Sequence, residues 1–305
     1  MEKVSVLLTT YNDGPGIRRV LDFIDRQAGR FQDLVIVSDA CHDQTDAIIQ
    51  KWLVSPHNGY FLKSFVRRKD RAGRADAIRY GLKCTRHDLT VIFAGDIQPF
   101  QDAFINLLRY FEEDKVGAVT GHPVLLNGWA TPADYLAHLM WSSHDNIGRA
   151  QTARGLFFHL NGEMFALRKS ALKGFKDYDG IAEDAMLGAL IRRSGWKVLW
   201  AGDVQYFMRY PHSMKEWLRV RKRCCYSRID LWKQCGLQDY PFYEVSHPEY
   251  LVNILKCVQP SIKGVLALGL GVALETLIRV YYMCSFAKHQ HLLDTLWQPA
   301  GETKW

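Results

Sequence analysis

Short apolar runs alternate with longer segments of helical periodicity in the first half of the chain. Runs of four to six residues, rich in Val, Ile, Leu and Phe, predict strands at residues 4–8, 34–37, 61–66, 90–93 and 116–120. The segments between them place apolar side chains three or four residues apart and predict helices at 17–27, 45–53, 73–84 and 102–112. This alternation predicts an α/β fold with a mostly parallel sheet covered by helices on both faces.

The pattern changes after Gly121. Residues 129–150 predict a helix or long insertion, 162–166 a strand, 182–194 a helix followed by Gly195, 197–201 and 204–207 two further strands, and 217–225 a basic helix. We therefore expect one α/β domain over residues 1–235 and a helical extension over 236–305.

Residues 262–286 form the one candidate for membrane contact. Glu275 and Arg279 interrupt this apolar run, and each would cost about 2.5–3.5 kcal/mol at the centre of a span. Their spacing of four residues lets them pair on a helix. A helix that is buried or lies on the membrane surface is therefore favoured over a helix that crosses the membrane.

The composition is that of an ordinary globular protein, with 48% hydrophobic and 23% charged residues among 305. A net charge of +7 indicates anionic partners. Basic residues concentrate at 67–74 and 215–228 but are balanced by acids elsewhere, so a phosphate-bearing ligand or an acidic lipid surface is favoured over nucleic acid.

The cysteines and the first residues indicate a compartment. Seven cysteines form no C-x-x-C pair, which argues against a disulfide framework or a zinc site and favours a reducing environment. The apolar run at 4–8 is too short for a signal peptide. The expectation is a cytoplasmic protein, at the cytoplasmic face of a membrane if residues 262–286 contact lipid.

Polar residues follow the ends of three predicted strands, where parallel α/β folds bind ligands. The first strand leads into Thr10, Tyr11, Asn12 and Asp13, which predict either a seat for a base and ribose or a turn that caps a helix. Asp39 follows the second strand and is a candidate acceptor for a base or ribose hydrogen bond, whereas Asp43 is explained as a helix cap. Asp96 follows the strand at 89–94, with Gln98 two residues later, where a second carboxylate would complete a divalent-metal site.

Three arginines are candidates for phosphate binding. Arg74 stands at a predicted helix start, where guanidinium and helix dipole together favour a diphosphate, while Arg67 and Arg68 are interpreted as a solvated basic face. Arg219 and Arg223 lie one helical turn apart and are predicted to grip a phosphate together.

Glu183 and Asp184 open an apolar helix. Acids are favourable at any helix N-terminus, so capping is one interpretation. A general base acting on an acceptor hydroxyl is the other.

A series of short motifs resembles glycosyltransferase family 2. In chain order the motifs are Thr-Thr-Tyr-Asn-Asp at 9–13, Asp39, Gly73-Arg74-x-x-Ala77, Gly95-Asp96-x-Gln98, residues 162–168, Glu183-Asp184 and Arg219-x-x-x-Arg223. The likeness covers about residues 4–228, and it rests on the shared order and spacing of short motifs.

The resemblance implies a GT-A fold, a UDP- or GDP-linked sugar donor and an inverting displacement. It implies that Thr10, Tyr11, Asn12, Asp13 and Asp39 hold the nucleoside, that Arg74, Arg219 and Arg223 lie on the donor side near the diphosphate, and that Asp96 contacts ribose and metal. Asp184 matches the family's general base, and Glu183 would shape the acceptor side. The acceptor would be a glycan, a lipid-linked molecule or a small molecule.

The sequence departs from the family pattern at several positions. Gln98 stands where the family has a metal-binding acid, and an amide oxygen binds Mg²⁺ or Mn²⁺ more weakly than a carboxylate does. A divalent metal is still expected at Asp96 and Gln98. His212 is either a further ligand or an ordinary loop residue. Val220 and Cys224 replace the Gln and Trp that flank the Arg223 position, which favours transfer of a single sugar over polymer synthesis. A sugar nucleotidyltransferase and a degenerate nucleotide-sugar binder are the alternatives.

Overall fold

The computed structural model describes residues 2–157, 159–175, 178, 180–235, 248–258 and 261–289. The strands are β1 Val4–Thr10, β2 Asp33–Ser38, β3 Leu62–Arg67, β4 Leu89–Ala94, β5 Gln98–Pro99, β6 Val116–Leu125, β7 Met164–Arg168 and β8 Lys197–Met208. The helices are α1 Ile17–Arg26, α2 Thr45–Leu53, α3 Arg74–Cys84, α4 Ala103–Arg109, α5 Pro132–Ala153, α6 Glu183–Arg193, α7 Met214–Cys235, α8 Pro248–Cys257 and α9 Ile262–His289.

The strands form one eight-stranded sheet in the order β3-β2-β1-β4-β7-β6-β8-β5. Strands β3, β2, β1 and β4 are parallel, β7 runs antiparallel to both β4 and β6, and β6 pairs in parallel with β8. The chain moves from β1 outward through β2 and β3, then returns to β4 on the other side of β1. This change of direction makes the carboxyl ends of β1 and β4 the topological switch point, where open α/β sheets bind ligands.

Apolar side chains cover both faces of the sheet. Val91 and Phe93 of β4 belong to one buried cluster, together with residues of α1, α4 and α5, while Ile92 belongs to a second cluster with residues of α3 and α6. Because strand side chains alternate between faces, a continuous apolar strand requires helices on both sides. The predicted fold class, a mostly parallel sheet with helices on both faces and a helical C-terminal region, is confirmed.

The first-half elements match their predicted bounds closely, but three later predictions were wrong in extent. Two strands were predicted at 197–201 and 204–207, but strand β8 is continuous over Lys197–Met208. An irregularity in its pairing with β6 accommodates the polar residues Gly202 and Asp203. Helix α7 runs over 22 residues, well beyond the predicted 217–225. Helix α5 begins only at Pro132, because Thr131 and Asp134 form a capping box.

The C-terminal helices pack on the sheet domain. Helix α8 contacts α5, and α9 contacts both α5 and α7. Ile278 and Tyr282 of α9 form a third buried cluster with Cys225, Tyr226 and Ile229 of α7. The division at residue 235 stays a prediction, since residues 236–247 lie outside the described part of the chain.

Candidate active site

An open cleft of about 180 Å³ lies at the carboxyl ends of β1, β2 and β4. Its lining includes Thr10 at the end of β1, Asp39 after β2 and Asp96 after β4. Three residues that are distant in sequence therefore meet at the switch point of the sheet, as the strand-end pattern predicts.

Thr10, Asp13 and Asp39, here called the strand-end group, are held by local hydrogen bonds. The Thr10 hydroxyl donates to Asp13 Oδ2 at 2.6 Å, and both residues are buried and line the cleft. A side chain at Gly95 would place its Cβ 2.0 Å from the same Asp13 oxygen, so only glycine permits this approach. The Asp13 carboxylate is thus fixed before any ligand arrives.

Asn12 builds the turn and is not among the residues that line the cleft. Its backbone is left-handed, with φ of 52°, a conformation that Asn tolerates better than most residues. Its side-chain oxygen accepts the His42 N–H at 2.8 Å, and its own N–H donates to the Cys41 sulfur at 3.2 Å. Asn12 therefore joins the loops after β1 and β2.

The Asp39 carboxylate joins the end of β2 to the start of α3. It accepts the N–H groups of Ala72 at 3.0 Å and Gly73 at 2.9 Å. Arg68 Nη1 lies 3.4 Å from Asp39, and Arg68 also forms a 2.5 Å ion pair with Asp76. The interpretation of Arg68 as solvated was wrong: its side chain is only 14% exposed because two carboxylates hold it, whereas Arg67 is 62% exposed.

Tyr11 and Arg71 form an aromatic-cation pair in the cleft lining. The Arg71 guanidinium lies 4.1 Å from the centre of the Tyr11 ring. Such a pair presents a flat, polarisable surface that suits a nucleobase. Arg71 belongs to the basic run at 67–74 but was not predicted as a site residue.

Arg74 occupies the centre of the site. Its side chain lines the cleft, donates to the Gly162 carbonyl and lies 3.4 Å from the Glu183 carboxylate. A side chain at Gly162 would place its Cβ 2.5 Å from Arg74 Nη1 and 3.1 Å from Asp184 Oδ2. Arg74 and Asp184 therefore approach the same glycine, and Asp184 lies beside the cleft rather than among its lining residues.

Glu163, Glu183 and Asp184, here called the buried carboxylate group, surround Arg74. Burial raises the pKa of Glu183 to about 7. The charge of Asp184 also raises this pKa, whereas the charge of Arg74 lowers it. Burial also raises the pKa of Asp184, against the hydrogen bond from the Ala185 N–H and the charge of Arg74. A carboxylate with a raised pKa is a stronger base, so burial strengthens Asp184 as a proton acceptor.

Glu163 lines the cleft and was missed by the sequence interpretation. Burial raises its pKa despite Arg74, and its Oε2 lies 3.3 Å from the hydroxyl of the fully buried Tyr206. Its backbone carbonyl accepts the Ala94 N–H at 2.8 Å. Because β7 is antiparallel to β4, the start of β7 meets the end of β4, which brings Glu163 next to the Gly95-Asp96 turn.

The two arginines of α7 separate into different environments. Arg223 lines the cleft. Arg219 does not belong to the lining, and it forms a 3.3 Å ion pair with Glu216 on its own helix. Of the two arginines that were predicted to bind a phosphate together, only Arg223 lines the cleft.

The predicted metal ligands do not converge. Asp96 lines the cleft, but Gln98 lies in the short edge strand β5 with an exposed side chain, and His212 is exposed in the loop before α7. Within the described ranges, no group of three or more His, Cys, Asp and Glu side chains is arranged to hold a metal ion. Asp96 remains the one predicted ligand that faces the cleft.

The loop after β8 completes the cleft, and a neighbouring loop holds it in place. Tyr210 and Pro211 line the cleft, and Asn127 bonds the Tyr210 backbone twice, accepting its N–H and donating to its carbonyl, both at 2.8 Å. The Thr131 hydroxyl donates to the His212 carbonyl at 2.6 Å. This contribution could not be predicted, because it depends on long-range contacts between two irregular loops.

A mostly parallel sheet with carboxylates and arginines around a cleft at its switch point is typical of nucleotide-binding α/β enzymes. A sequence model of the glycosyl transferase family 2 matches residues 5–175, more than half of the chain. The chain belongs to this family and has the GT-A fold, as the sequence motifs indicated.

Curated relatives and solved structures give more distant likenesses. Poly-beta-1,6-N-acetyl-D-glucosamine synthase of Staphylococcus aureus (strain COL) is 25% identical over 217 residues, which cover 70% of this chain and 52% of that protein. A probable glucomannan 4-beta-mannosyltransferase 7 of Oryza sativa subsp. japonica is 21% identical over 215 residues, which cover 66% and 37%. The chain thus spans about half the length, or less, of the curated relatives it matches.

Among solved structures, the mannosyltransferase PcManGT of Pyrobaculum calidifontis, in complex with GDP-Man and Mn²⁺, has a TM-score of 0.64 at 20% identity, covering 97% of this chain and 87% of that one. Glucosyl-3-phosphoglycerate synthase of Mycobacterium tuberculosis, in complex with Mn²⁺, UDP and glucosyl-3-phosphoglycerate, has a TM-score of 0.51 at 16% identity, covering 77% and 80%. At these identities the likeness shows the shared fold.

Proposed function

We propose that this glycosyltransferase moves a single sugar, with inversion, from a nucleoside-diphosphate donor to an acceptor hydroxyl, with Asp184 as the general base. The observation that carries the proposal is that Asp184 and Arg74 approach the same glycine, Gly162. A carboxylate of raised pKa thus lies beside a cleft that suits a nucleotide. The family and the nucleotide-sugar ligands of its structural neighbours support the same reading.

The strand-end group and the aromatic-cation pair form the donor side. Asp13 and Asp39 offer fixed carboxylate oxygens to ribose and base, and Tyr11 with Arg71 offers a stacking surface. Arg223 supplies positive charge in the lining for the diphosphate. The donor is UDP- or GDP-linked, in keeping with the neighbours that bind GDP-Man or UDP.

The reaction is a direct displacement. Asp184 takes the proton of the acceptor hydroxyl as the acceptor oxygen forms its bond to the anomeric carbon. The bond between that carbon and the donor phosphate breaks, and its electron pair leaves with the nucleoside diphosphate. Arg74 and Arg223 stabilise the negative charge that develops on the leaving group, and preorganised charges of this kind contribute strongly to catalysis.

Glu163 is the residue that the geometry adds to the donor sugar site. Its carboxylate lies in the lining near Asp96 and Arg74, where it accepts hydrogen bonds from sugar hydroxyls. Glu183 positions Arg74 through their 3.4 Å contact and shapes the acceptor side.

Of the predicted ligands only Asp96 lines the cleft, so Asp96 would be the one protein ligand there for a divalent cation. Mg²⁺ is commonly bound by one or two carboxylates together with substrate phosphates, so the donor phosphates would supply further oxygens. When bound, such an ion neutralises charge on the departing diphosphate. Gln98 and His212 lie outside the cleft lining.

A donor panel tests the proposal. In the presence of Mn²⁺, one UDP- or GDP-sugar is expected to raise the thermal stability, since a ligand at a hundredfold excess over its Kd stabilises by about 2.7 kcal/mol. The donor is then converted with release of the nucleoside diphosphate, and nuclear magnetic resonance shows an inverted anomeric centre in the product.

Two outcomes contradict the proposal. Release of pyrophosphate from a nucleoside triphosphate and a sugar 1-phosphate, supplied in place of the nucleotide sugar, indicates a sugar nucleotidyltransferase. Stabilisation by a nucleotide sugar, with neither hydrolysis nor transfer under any metal condition, indicates a degenerate binding protein. Products longer than one added sugar overturn single transfer alone and indicate the polymer synthesis for which the Staphylococcus relative is named.

A further inference from the structure

Helix α9 has two faces of different character. Residues such as Gly264, Ala267, Gly271, Ile278 and Tyr282 are buried against α5 and α7. The opposite face exposes large apolar side chains along the helix, namely Ile262, Val265, Leu266, Leu270, Val272, Leu277, Val280, Tyr281 and Met283. Most residues of the 24-residue apolar segment Ile262–Ser285 are exposed or half-buried, so α9 is not a core helix.

The two charges that interrupt this segment in the sequence turn inward. Glu275 pairs with Arg221 of α7, and its other oxygen lies 3.7 Å from Arg279. Burial acts to raise the pKa of Glu275, but Arg221 outweighs it and lowers the pKa to about 2. The outer face between residues 264 and 283 is therefore free of charged side chains.

The exposed apolar face of α9 is long. At 1.5 Å per residue, the exposed side chains from Ile262 to Met283 cover about 30 Å of helix. Further apolar side chains are exposed elsewhere in this part of the chain: Val252 and Leu255 of α8 are 49% and 61% exposed, and Trp129, which lies near Gly264 and Ala267, is 45% exposed. An exposed apolar helix face of this length is rare on a monomeric protein and indicates a binding surface.

We infer that the outer face of α9 binds the surface of an anionic lipid bilayer, with the helix lying in the plane of the membrane. Lys256 and Lys263 are exposed at one end of the face, and with the net charge of +7 they complement anionic head groups. Trp129 and Tyr281 are of the type that occupies the membrane-water interface. This inference is independent of the proposed reaction.

A bilayer suits this face better than a protein partner does. Protein interfaces carry about one hydrogen bond per 100–200 Å², which fixes the register of the two surfaces. The outer face instead consists mainly of aliphatic side chains, and the Thr276 hydroxyl donates to the Val272 carbonyl of its own helix at 2.8 Å. Such a face has little to specify one partner.

The packing of α9 favours a helix that lies on the membrane over one that crosses it. The Arg221–Glu275 pair fastens the middle of α9 to α7, whose sequence is rich in Lys and Arg. A crossing helix would have to leave α7 or draw those charges into hydrocarbon, which is strongly unfavourable. A helix with one apolar face and one protein-bound face is satisfied at the interface.

Vesicle flotation with the full chain tests the inference. The wild type is expected to float with vesicles of phosphatidylcholine and phosphatidylglycerol, to float less with phosphatidylcholine alone, and to be released by alkaline carbonate. Leu266→Glu/Leu277→Glu is expected to reduce vesicle binding at least tenfold. The matched control is Val54→Glu, which adds a charge at an apolar residue that is 85% exposed at the end of α2, and it is expected to float as the wild type does.

Three results overturn the inference. The first is a wild type that stays in the vesicle-free fraction, and the second is a double variant that floats like the wild type. The third is a wild type that is dimeric in vesicle-free solution while the double variant is monomeric. Circular dichroism of the double variant verifies that α9 is still helical, and resistance of the wild type to carbonate extraction would show a crossing helix instead.

Discussion

The strand-end group and the buried carboxylate group hold their acids by different means. Asp13 and Asp39 each accept hydrogen bonds from neighbouring groups, a hydroxyl for Asp13 and two backbone N–H groups for Asp39. Glu163, Glu183 and Asp184 are crowded around Arg74, and burial raises the pKa of all three. Hydrogen bonds that stabilise the charged form make a rigid binding site, whereas burial near like charges makes groups that exchange protons readily. We therefore expect the strand-end group to bind the nucleotide, and Asp184 of the buried carboxylate group to accept the proton.

The largest effect is expected for Arg74→Met, which removes the cation that contacts Glu183. Removing one partner of a buried ion pair destabilises by about 3–5 kcal/mol, and the loss of leaving-group stabilisation is expected to lower kcat/KM by about 10³-fold. Urea denaturation and initial rates measure the two effects.

The control for this variant is Arg18→Met, which removes an exposed pair with Asp22 and is expected to change stability by less than about 1 kcal/mol. Equal losses in the two variants would show that the buried carboxylate group does not depend on Arg74.

Arg223→Ala and Arg219→Ala form a pair of variants one turn apart on α7. Arg223 lines the cleft, so its removal is expected to lower kcat/KM by about 10–100-fold through weaker diphosphate contacts. Arg219 contacts Glu216 instead, and its removal is expected to change kcat/KM by less than about twofold. Equal losses would place both arginines on the donor, as the sequence alone suggested.

Glu163→Gln separates the sugar from the nucleotide. The variant is expected to bind the nucleotide sugar about tenfold more weakly, because hydrogen bonds to a charged acceptor contribute about 1.5–3 kcal/mol, while binding the nucleoside diphosphate as the wild type does. Isothermal titration with both ligands measures this difference. Glu113→Gln, at a carboxylate 55% exposed and paired with Lys197, is the control. A parallel loss for both ligands would remove Glu163 from the sugar site.

The smallest effect is a pH dependence of stability. The folded pKa of Glu183 is about 7, above its ordinary value of 4.5, so the folded state keeps a proton that the unfolded state loses. Stability from this group is full below pH 4.5 and is lost as the pH rises through 7. The Tm of the wild type is expected to fall by about 2 °C or more relative to Glu183→Gln between pH 5 and pH 8. Parallel melting curves would contradict the raised pKa.

The strand-end group could be predicted because its placement follows from local pattern and topology. A strand that is apolar throughout must be buried, and parallel strands bring Asp39 and Asp96 to one edge of the sheet. The same reasoning found the elements from β1 to β4 to within two residues of their bounds, but it missed β5 and the second half of β6.

The rest depends on long-range packing that a local pattern does not encode. Glu163 reaches the cleft because β7 runs antiparallel to its neighbours, and Arg68 is largely shielded from solvent because Asp39 and Asp76 both contact it. The interruption at Gly202 and Asp203 resembles a strand end, but β8 continues through it. In the sequence Glu275 and Arg279 argue against a helix that crosses the membrane, and only the structure shows that Glu275 pairs with Arg221 of α7 as well as with Arg279.

The central claim is that donor binding and base catalysis are separate at this site, and Asp184→Asn tests it most directly. With the donor identified by the panel, titration and single-turnover kinetics compare this variant with Asp114→Asn, at an exposed residue that does not line the cleft. The account predicts a donor Kd within about threefold of the wild type and a chemical step slowed at least about 10³-fold, within the range ascribed to a positioned general base. Retained turnover, or a loss of donor affinity as large as the loss of rate, would contradict it.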